Sequence, residues 1–318
     1  MNGVFTHKPL IVILGGLGFI GSHLARALVH DSFKVRIFDK LYASHELIKD
    51  IETCVEVIEG DMERPQDVMD ALSGGEICFH LMHTTVPGSS MQDPGYDVQS
   101  NVVSSVRWIS ELNRTSIKRL TYISSGGTVY GIPQTNPITE DHPTNPLCSY
   151  GISKLSIEKY VLLYGQINGI ASTILRPSNV YGEGQKLNIN QGLIGVFADR
   201  LLREERIEIW GDGTVRRDYL YIGDLISGLL TLIKYQGPYS IFNISTGEGH
   251  SILEIVDILT EVMGKKPQLV FKPPRGFDVR VNILSSQRLK EETGWEPRIT
   301  LKEGIGRYIR WLNKYEKI

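Results

Sequence analysis

LIVILGGLGFIG, residues 10–21, carries the reading on which the rest of the 318-residue chain depends. Leu10 to Leu14 is an unbroken apolar run rich in β-branched residues, the pattern of a strand buried on both faces. Glycines stand at 15, 16, 18 and 21, and Phe19 to Val29 is apolar-periodic, as in a helix. A strand that enters a helix through glycines gathers bare backbone N–H groups and the positive end of the helix dipole at one point. That point suits a pyrophosphate. Gly15 permits the tight turn, Gly18 lets a phosphate approach, and Gly21 lets helix and strand pack closely. The spacing is G-x-x-G-x-x-G. A second strand, Lys34 to Phe38, ends in Asp39, where an acid would take the adenosine ribose hydroxyls. The stretch therefore implies a dinucleotide site. Asp39 would repel a 2′-phosphate, which selects NAD over NADP, while the positive charge of Lys40 beside it works against that selection.

The length suits one large or two modest domains. Hydrophobic residues make up 41% and charged residues 22% of the chain, as in ordinary globular proteins. A net charge of -2 gives no electrostatic case for a nucleic-acid or anionic-membrane partner. No apolar run approaches the length of a membrane span, and the polar start MNGVFTHKPL does not resemble a signal peptide, so the cytoplasm is expected. The 3 cysteines, Cys54, Cys78 and Cys148, are far apart, and neither they nor the 8 histidines show metal-ligand spacing. No metal is expected.

Strand and helix patterns alternate through the first half, which predicts a parallel, doubly wound α/β sheet. The third strand, Val55 to Glu59, leads into Asp61 and Met62. Asp61 stands where it could contact adenine or cap a helix over Glu63 to Leu72. The fourth strand is Ile77 to Met82, with His83, Thr84 and Thr85 at its end. Gln99 to Leu112 is helical. A fifth strand, Arg119 to Ser124, runs into Ser125-Gly126-Gly127-Thr128. A proline-rich loop, a helix from Ser149 to Tyr164 and a sixth strand from Ala171 to Leu175 follow. Beyond Gly182 the loops lengthen. Residues 1–178 are expected to form the dinucleotide-binding domain. Residues 179–318 should form mainly a smaller substrate lobe, with segments near 218–245 returning to the first domain. Helices are expected over Gly192 to Arg203, Asp224 to Tyr235, Ile252 to Met263, Leu284 to Thr293 and Leu301 to Lys314. Strands are expected over Ile207 to Trp210 and Tyr239 to Ile244.

Tyr150 and Lys154 stand four apart at a helix start, so both project from one face. The fifth strand brings Ser124 and Ser125 to the same sheet edge. A phenol titrating at about 10 must be stabilised as its anion by roughly 4 kcal/mol to act as a base near neutrality. A lysine cation and a positive nicotinamide ring at short range can supply that in a partly dry cleft.

Taken in order, GGLGFIGSHL (15–24), GDM (60–62), YISSGGTVYG (122–131), SYGISK (149–154), RPSNVYG (176–182), RRDYLYIGDL (216–225) and GWEP (294–297) resemble the extended short-chain dehydrogenase/reductases. The likeness is greatest to the NAD-dependent nucleotide-sugar epimerases of the UDP-galactose (UDP-glucose) 4-epimerase type, and it spans nearly the whole chain. It implies a Rossmann-type sheet with a smaller C-terminal substrate-binding lobe, a tightly held NAD and a Ser/Thr–Tyr–Lys group. Tyr150 would take the proton of the sugar 4-hydroxyl while hydride leaves C4. The 4-keto sugar would turn, and hydride would return to its other face.

The resemblance also implies the following placements. Phe19 and Ile20 line the pyrophosphate turn. Leu81, Met82 and His83 lie on the ribose side, Asn101 reaches the cofactor from a neighbouring helix, and Ser124 faces it. Pro177 and Val180 pack on the nicotinamide. Asn179 meets the substrate diphosphate side. Apart from the resemblance, the pocket wall opposite Tyr150 is expected over Thr84 to Ser90 and Asn188 to Leu193, with Thr84, Gln191 and Leu193 as substrate contacts that should decide which sugar fits. Arg217 and Arg275 take phosphate and Asp278 the nucleotide ribose, in keeping with guanidinium–phosphate and carboxylate–diol chemistry. A homodimer through the helices at 99–112 and 149–164 is implied as well.

One departure stands out. Many members carry a serine or threonine four residues before the tyrosine at 130, and here that residue is Gly126. Thr128, or else Ser125, must then supply the hydroxyl. The 4,6-dehydratases of the superfamily carry T-D-E before V-Y-G. Gly126-Gly127-Thr128 offers no carboxylate for elimination. The reading is C4 epimerisation of a UDP-hexose. Its alternative is a nucleotide-4-keto-sugar reductase with a dissociable nicotinamide cofactor. A redox-sensing binding protein would have no need of Tyr150 and Lys154.

Overall fold

The glycine turn lies at the carboxyl end of the first strand, an interior strand of the main sheet. The computed structural model describes residues 8–185, 192–274 and 279–315. Strand β1 is Leu10–Leu14, followed by helix α1 (Phe19–His30) and β2 (Lys34–Lys40). Then come β3 (Glu56–Gly60), α2 (Pro65–Leu72), β4 (Ile77–His80), α3 (Pro87–Ser90), α4 (Pro94–Asp97), a wide π turn over Val98–Val103 and α5 (Ser104–Ile109). Strand β5 (Arg119–Ile123), helix α6 (Ser149–Asn168) and β6 (Ala171–Pro177) follow. With the later strand Ile241–Ile244 these make a seven-stranded sheet, in the order Ile241–Ile244, β6, β5, β4, β1, β2, β3. The β1–β2, β1–β4, β2–β3, β4–β5 and β5–β6 pairs are all parallel. Strand order reverses between β1 and β4. That is the switch point outside whose carboxyl ends ligands bind in such sheets.

The described residues form two units. The first holds the chain up to Val129, Thr144–Arg176 and Leu229–Phe242, and the second holds Tyr130–Pro143, Pro177–Gly228 and the chain from Asn243 on. In the first unit Val12, Leu14, Phe38, Val68, Leu72, Trp108, Leu120, Ile157 and Ile174 belong to one buried apolar cluster. Near-continuous apolar strands make this possible, since helices cover both faces of a parallel sheet.

In the second unit, β7 (Asn179–Tyr181) pairs in parallel with β10 (Tyr219–Tyr221). Strand β8 (Ile207–Trp210) follows α7 (Leu193–Leu202), and it pairs with β13 (Leu269–Lys272). Strand β9 (Arg216–Arg217) lies between β12 (His250–Ser251) and β14 (Val281–Asn282). Helices α8 (Ile222–Leu232), α9 (Ile252–Met263), α10 (Gln287–Thr293) and α11 (Leu301–Tyr315) complete the fold, with Ile241–Ile244 as β11. Ser251 and Glu254 form a capping box at the start of α9.

Several boundaries differ from the sequence expectation, each for a local reason. The helix expected from Gln99 begins at Pro94, because the Asp93 side chain caps it by accepting from Tyr96 N–H at 2.9 Å. The helix expected from Glu63 starts at Pro65 with Arg64 as its N-cap. Asp61 therefore does not cap it and instead accepts from Glu63 N–H at 2.9 Å. The fourth strand stops at His80, which leaves Leu81 to His83 as loop. Helix α6 runs on to Asn168 and ends on Gly169 in the left-handed conformation, φ 67°. Among the described residues no helix is long and apolar enough to cross a membrane.

Candidate active site

The glycine turn is built tightly. Gly15 takes φ 89°, and its N–H donates to Phe38 O at 2.7 Å, tying the turn to β2. Gly18 is the N-cap of α1, so no side chain competes for the first-turn N–H groups. A Cβ on Gly15 would lie 3.1 Å from Met82 N. Asp39 accepts from Leu17 N–H and Lys40 N–H, each at 2.9 Å. Burial outweighs those two donors and raises its carboxyl above the usual range. The fingerprint acid is thus locked against the glycine turn. Phe19 and Ile20 are partly exposed in the first turn of α1, while Met62 joins the apolar cluster and Met82 packs on it. Bare N–H groups, a carboxylate at the end of β2 and an apolar floor fit a dinucleotide.

Helix α6 carries the candidate chemistry. Lys154 is 3% exposed, and its Nζ donates to Ile123 O at 2.9 Å, at the end of β5. The same Nζ lies 5.7 Å from the Tyr150 ring centre and 5.0 Å from that of Tyr122. Burial pushes Lys154 down to about 7, against the pull of the Glu158 and Asp97 carboxylates. Tyr150 is pushed above its usual range, first by burial and then by Cys148 and Asp97. The lysine therefore does not ionise the phenol by itself. Desolvation, which sequence spacing does not reveal, dominates at both groups.

The segment after β5 lies against the first turn of α6. A Cβ on Gly151 would come within 2.8 Å of Thr128 O, so only glycine admits this approach. The Thr128 hydroxyl is buried and has no hydrogen-bond partner among the described residues. Ser125 is partly exposed. The Ser124 hydroxyl donates to Glu158, and Glu158 takes the buried Arg176 guanidinium at 3.0 and 2.6 Å. The hydroxyl expected to face the cofactor is therefore engaged in an internal ion-pair network.

Asn101 is likewise satisfied internally. Its Oδ1 accepts from Thr84 N–H at 2.8 Å, and its Nδ2 donates to Thr84 Oγ1 at 2.9 Å and to Asp97 O at 3.0 Å. It clamps the loop after β4. Leu81 N–H donates to Leu14 O at 2.9 Å, and the His83 ring meets Tyr150 edge-on, 4.6 Å between centres at 77°. Burial and the Lys154 charge hold His83 down to about 4.

In the second unit a cavity of about 360 Å³ is lined by Leu193, Phe197, Arg200, Trp210, Arg217 and Tyr219, among others. Arg217 Nη1 donates to Arg216 O at 2.9 Å. Asn179 Nδ2 donates to Asp218 O at 2.9 Å. Pro177 is buried and Val180 is half-buried. Gln191, Arg275 and Asp278 lie outside the described residues. No cluster of His, Cys, Asp and Glu able to hold a metal occurs among the described residues.

Four participants were missed by sequence reasoning. They are Gly151, the Glu158–Arg176 pair and Asp97, which is fully buried and accepts from both Ser149 and Ser153. The interleaving of serines 149 and 153 with residues 150 and 154 was the available signal of a second, polar face on this helix.

The switch-point turn and the tyrosine–lysine helix together mark a nicotinamide-dependent enzyme of the extended short-chain type. The profile of the NAD dependent epimerase/dehydratase family matches residues 11–245, and the chain belongs to that family. A putative UDP-glucose 4-epimerase of Methanocaldococcus jannaschii is 34% identical over 95% of this chain and 98% of its own length. An Escherichia coli dTDP-4-dehydro-6-deoxyglucose reductase is 31% identical, over 96% of this chain and 98% of its own length. The crystal structure of UDP-glucose 4-epimerase with UDP-glucose from Thermotoga maritima matches with a TM-score of 0.90 at 31% identity. It covers 96% of this chain and 99% of that one.

Proposed function

We propose that the protein epimerises a UDP-hexose at C4, with Tyr150 as the acid–base residue. The carrying observation is the grouping at the start of α6: the Tyr150 phenol, the Lys154 ammonium anchored on Ile123 O and the unpartnered Thr128 hydroxyl beside Gly151. Support comes also from the 34% identical relative described as a putative UDP-glucose 4-epimerase.

Gly15, Gly18 and the first turn of α1 hold the pyrophosphate, Asp39 the adenosine ribose and Lys154 the nicotinamide ribose. NAD⁺, when bound, supplies a reversible hydride acceptor and a positive charge. Tyr150 takes the proton of the 4-hydroxyl and returns it once the keto sugar has turned. Lys154 stabilises the phenolate, and Thr128 donates a hydrogen bond to the sugar oxygen on which charge develops. In the second unit the cavity at Arg217, Leu193 and Trp210 takes the nucleotide. Guanidinium groups there suit phosphate, and the aromatic wall suits a base. Gly126-Gly127-Thr128 carries no carboxylate, which disfavours elimination.

The relative from E. coli favours a second reading, reduction of a nucleotide-4-keto sugar. Incubating the purified protein with UDP-glucose, UDP-galactose and their N-acetyl forms, without added cofactor, separates the two. Interconversion at C4, with NAD released on denaturation, is the expected result. Turnover only with stoichiometric NADH or NADPH replaces it with the reductase.

Exposed Ile152, Tyr160, Leu163 and Ile167 lie along one face of α6. We take this face, with the helix from Pro94 to Ile109, to form a homodimer. Sedimentation at micromolar concentration tests this, and a monomer sinks it.

A further inference from the structure

We propose that Asp97 is the positioning residue for Tyr150 and Lys154. One buried carboxylate ties down the helical turn that carries both, through Ser149 and Ser153, and lies against the imidazole that packs on the phenol ring. The proposal rests on Tyr150 acting as the base and adds a residue that itself touches no substrate.

Asp97 ends α4 and is 0% exposed. Its Oδ2 accepts from Ser149 Oγ and Ser153 Oγ, each at 2.7 Å. Its Oδ1 accepts from Thr85 Oγ1 and, at 3.2 Å, from Asn101 Nδ2. His83 Nε2 lies 3.7 Å from the same oxygen, beyond hydrogen-bond reach. Burial alone would raise this carboxyl. The donors more than offset burial and hold it well below the usual carboxylate range. Asp97 is thus a fixed anion with donors on both oxygens.

Ser149 and Ser153 each precede a candidate active residue by one position. Their shared bond to Oδ2 fixes the rotation of this turn about the helix axis. The phenol oxygen stands far from that axis, so a small rotation displaces it by about an ångström, an error that costs on the order of 10²-fold in rate. His83 acts from the other side. Its side chain is 6% exposed, and neither ring nitrogen has a hydrogen-bond partner among the described residues. A buried imidazole held this way costs stability. Its contribution is its place, between Asp97 and the Tyr150 ring.

The anion also reaches Lys154. The groups facing that ammonium are Glu158 and Tyr150 on α6, Tyr122 on β5, His80 on β4, His83 on the following loop, and Asp97. Of these, Glu158 and Asp97 favour its charged form. Removing the Asp97 charge therefore lowers the pH at which Lys154 loses its proton.

The test uses Asp97→Asn, beside the double variant Ser149→Ala/Ser153→Ala, in the protein as purified. Readouts are kcat and KM for the UDP-hexose and the Lys154 titration, followed through 13C-lysine resonances assigned with Lys154→Arg. Asp97→Asn is expected to lower kcat by about 10²-fold with KM changed less than about threefold, and to move the Lys154 titration to lower pH. The double variant keeps the charge. It is expected to lower kcat by about tenfold while leaving the Lys154 titration in place. Asp97→Asn with kcat within about twofold of the parent and an unmoved titration overturns the proposal. Should Asp97→Asn not fold, a double variant with unchanged kcat overturns it. If the parent protein turned over no UDP-hexose, the epimerase reading would fail separately, and the titration would still decide whether Asp97 acts on this pair.

Discussion

Tyr150→Phe is expected to lower kcat by about 10³-fold, the usual scale for loss of a positioned acid–base group, while NAD remains bound. The change removes one oxygen from a ring that His83 and the Lys154 ammonium continue to flank, so packing is kept. NAD released by denaturing the variant should therefore match the parent in amount. Lys154→Met should behave differently. Lys154 Nζ donates to Ile123 O, and methionine leaves that buried carbonyl without its partner, a cost of about 1–3 kcal/mol. Turnover, thermal stability and NAD retention should all fall together. Thr128→Val removes a hydroxyl that bonds nothing else among the described residues, so it should cost about 10²-fold in kcat with little change in stability. Turnover by Tyr150→Phe at the parent rate would remove the assigned base, whatever the other two variants did.

These contrasts depend on burial, which the sequence conveys unevenly. The sheet was legible because its strands announce themselves. LIVIL at 10–14 and ICFH at 77–80 are buried along nearly their whole length, and their apolar runs admit few alternatives. The glycine turn was legible because Gly15, at φ 89°, and Gly21, where a Cβ would lie 2.6 Å from Gly16 Cα, answer separate steric demands. The short strands of the second unit were not. Arg216–Arg217 and Val281–Asn282 are two-residue pairings, and no periodicity can be read from two residues. The side-chain network around Tyr150 was legible only in part. Spacing placed Tyr150 and Lys154 together. It could not show that Ser124 is engaged by Glu158, that Asn101 is engaged by Thr84, or that Asp97, some fifty residues upstream, holds the same helix. Such pairings arise between elements distant in sequence and depend on tertiary register. The expected ionisation of Tyr150 shows the same limit. Proximity to a cation was readable, whereas the water excluded from both groups was not, and desolvation acts on both against the charged form.

Gly21→Ala should be the most damaging single-methyl change in the first unit, against the usual expectation for a helix. Alanine is favoured over glycine inside a helix by roughly 1 kcal/mol, and Gly21 lies in the first turn of α1. A Cβ there would overlap the Gly15 carbonyl oxygen and lie 2.6 Å from Gly16 Cα. Both obstacles are backbone, and neither can swing aside as a side chain would. Helix α1 must then draw back from the end of β1. Overpacking of this kind costs about 1–3 kcal/mol, more than the helix preference returns. The functional loss should exceed the loss in stability, because retreat of the helix parts its first-turn N–H groups from the Gly15–Gly18 turn, with which they would bind one pyrophosphate under the proposed function. The variant is expected to purify with little NAD and to recover turnover only when NAD is added in excess. Gly306→Ala in α11 is the matched control. Its nearest neighbour, Arg310 Nη1, would lie at 3.5 Å, an ordinary contact. The same substitution there should raise stability by up to about 1 kcal/mol and leave NAD content unchanged. Equal NAD occupancy in the two variants would mean that the turn does not hold the dinucleotide through its close packing on α1.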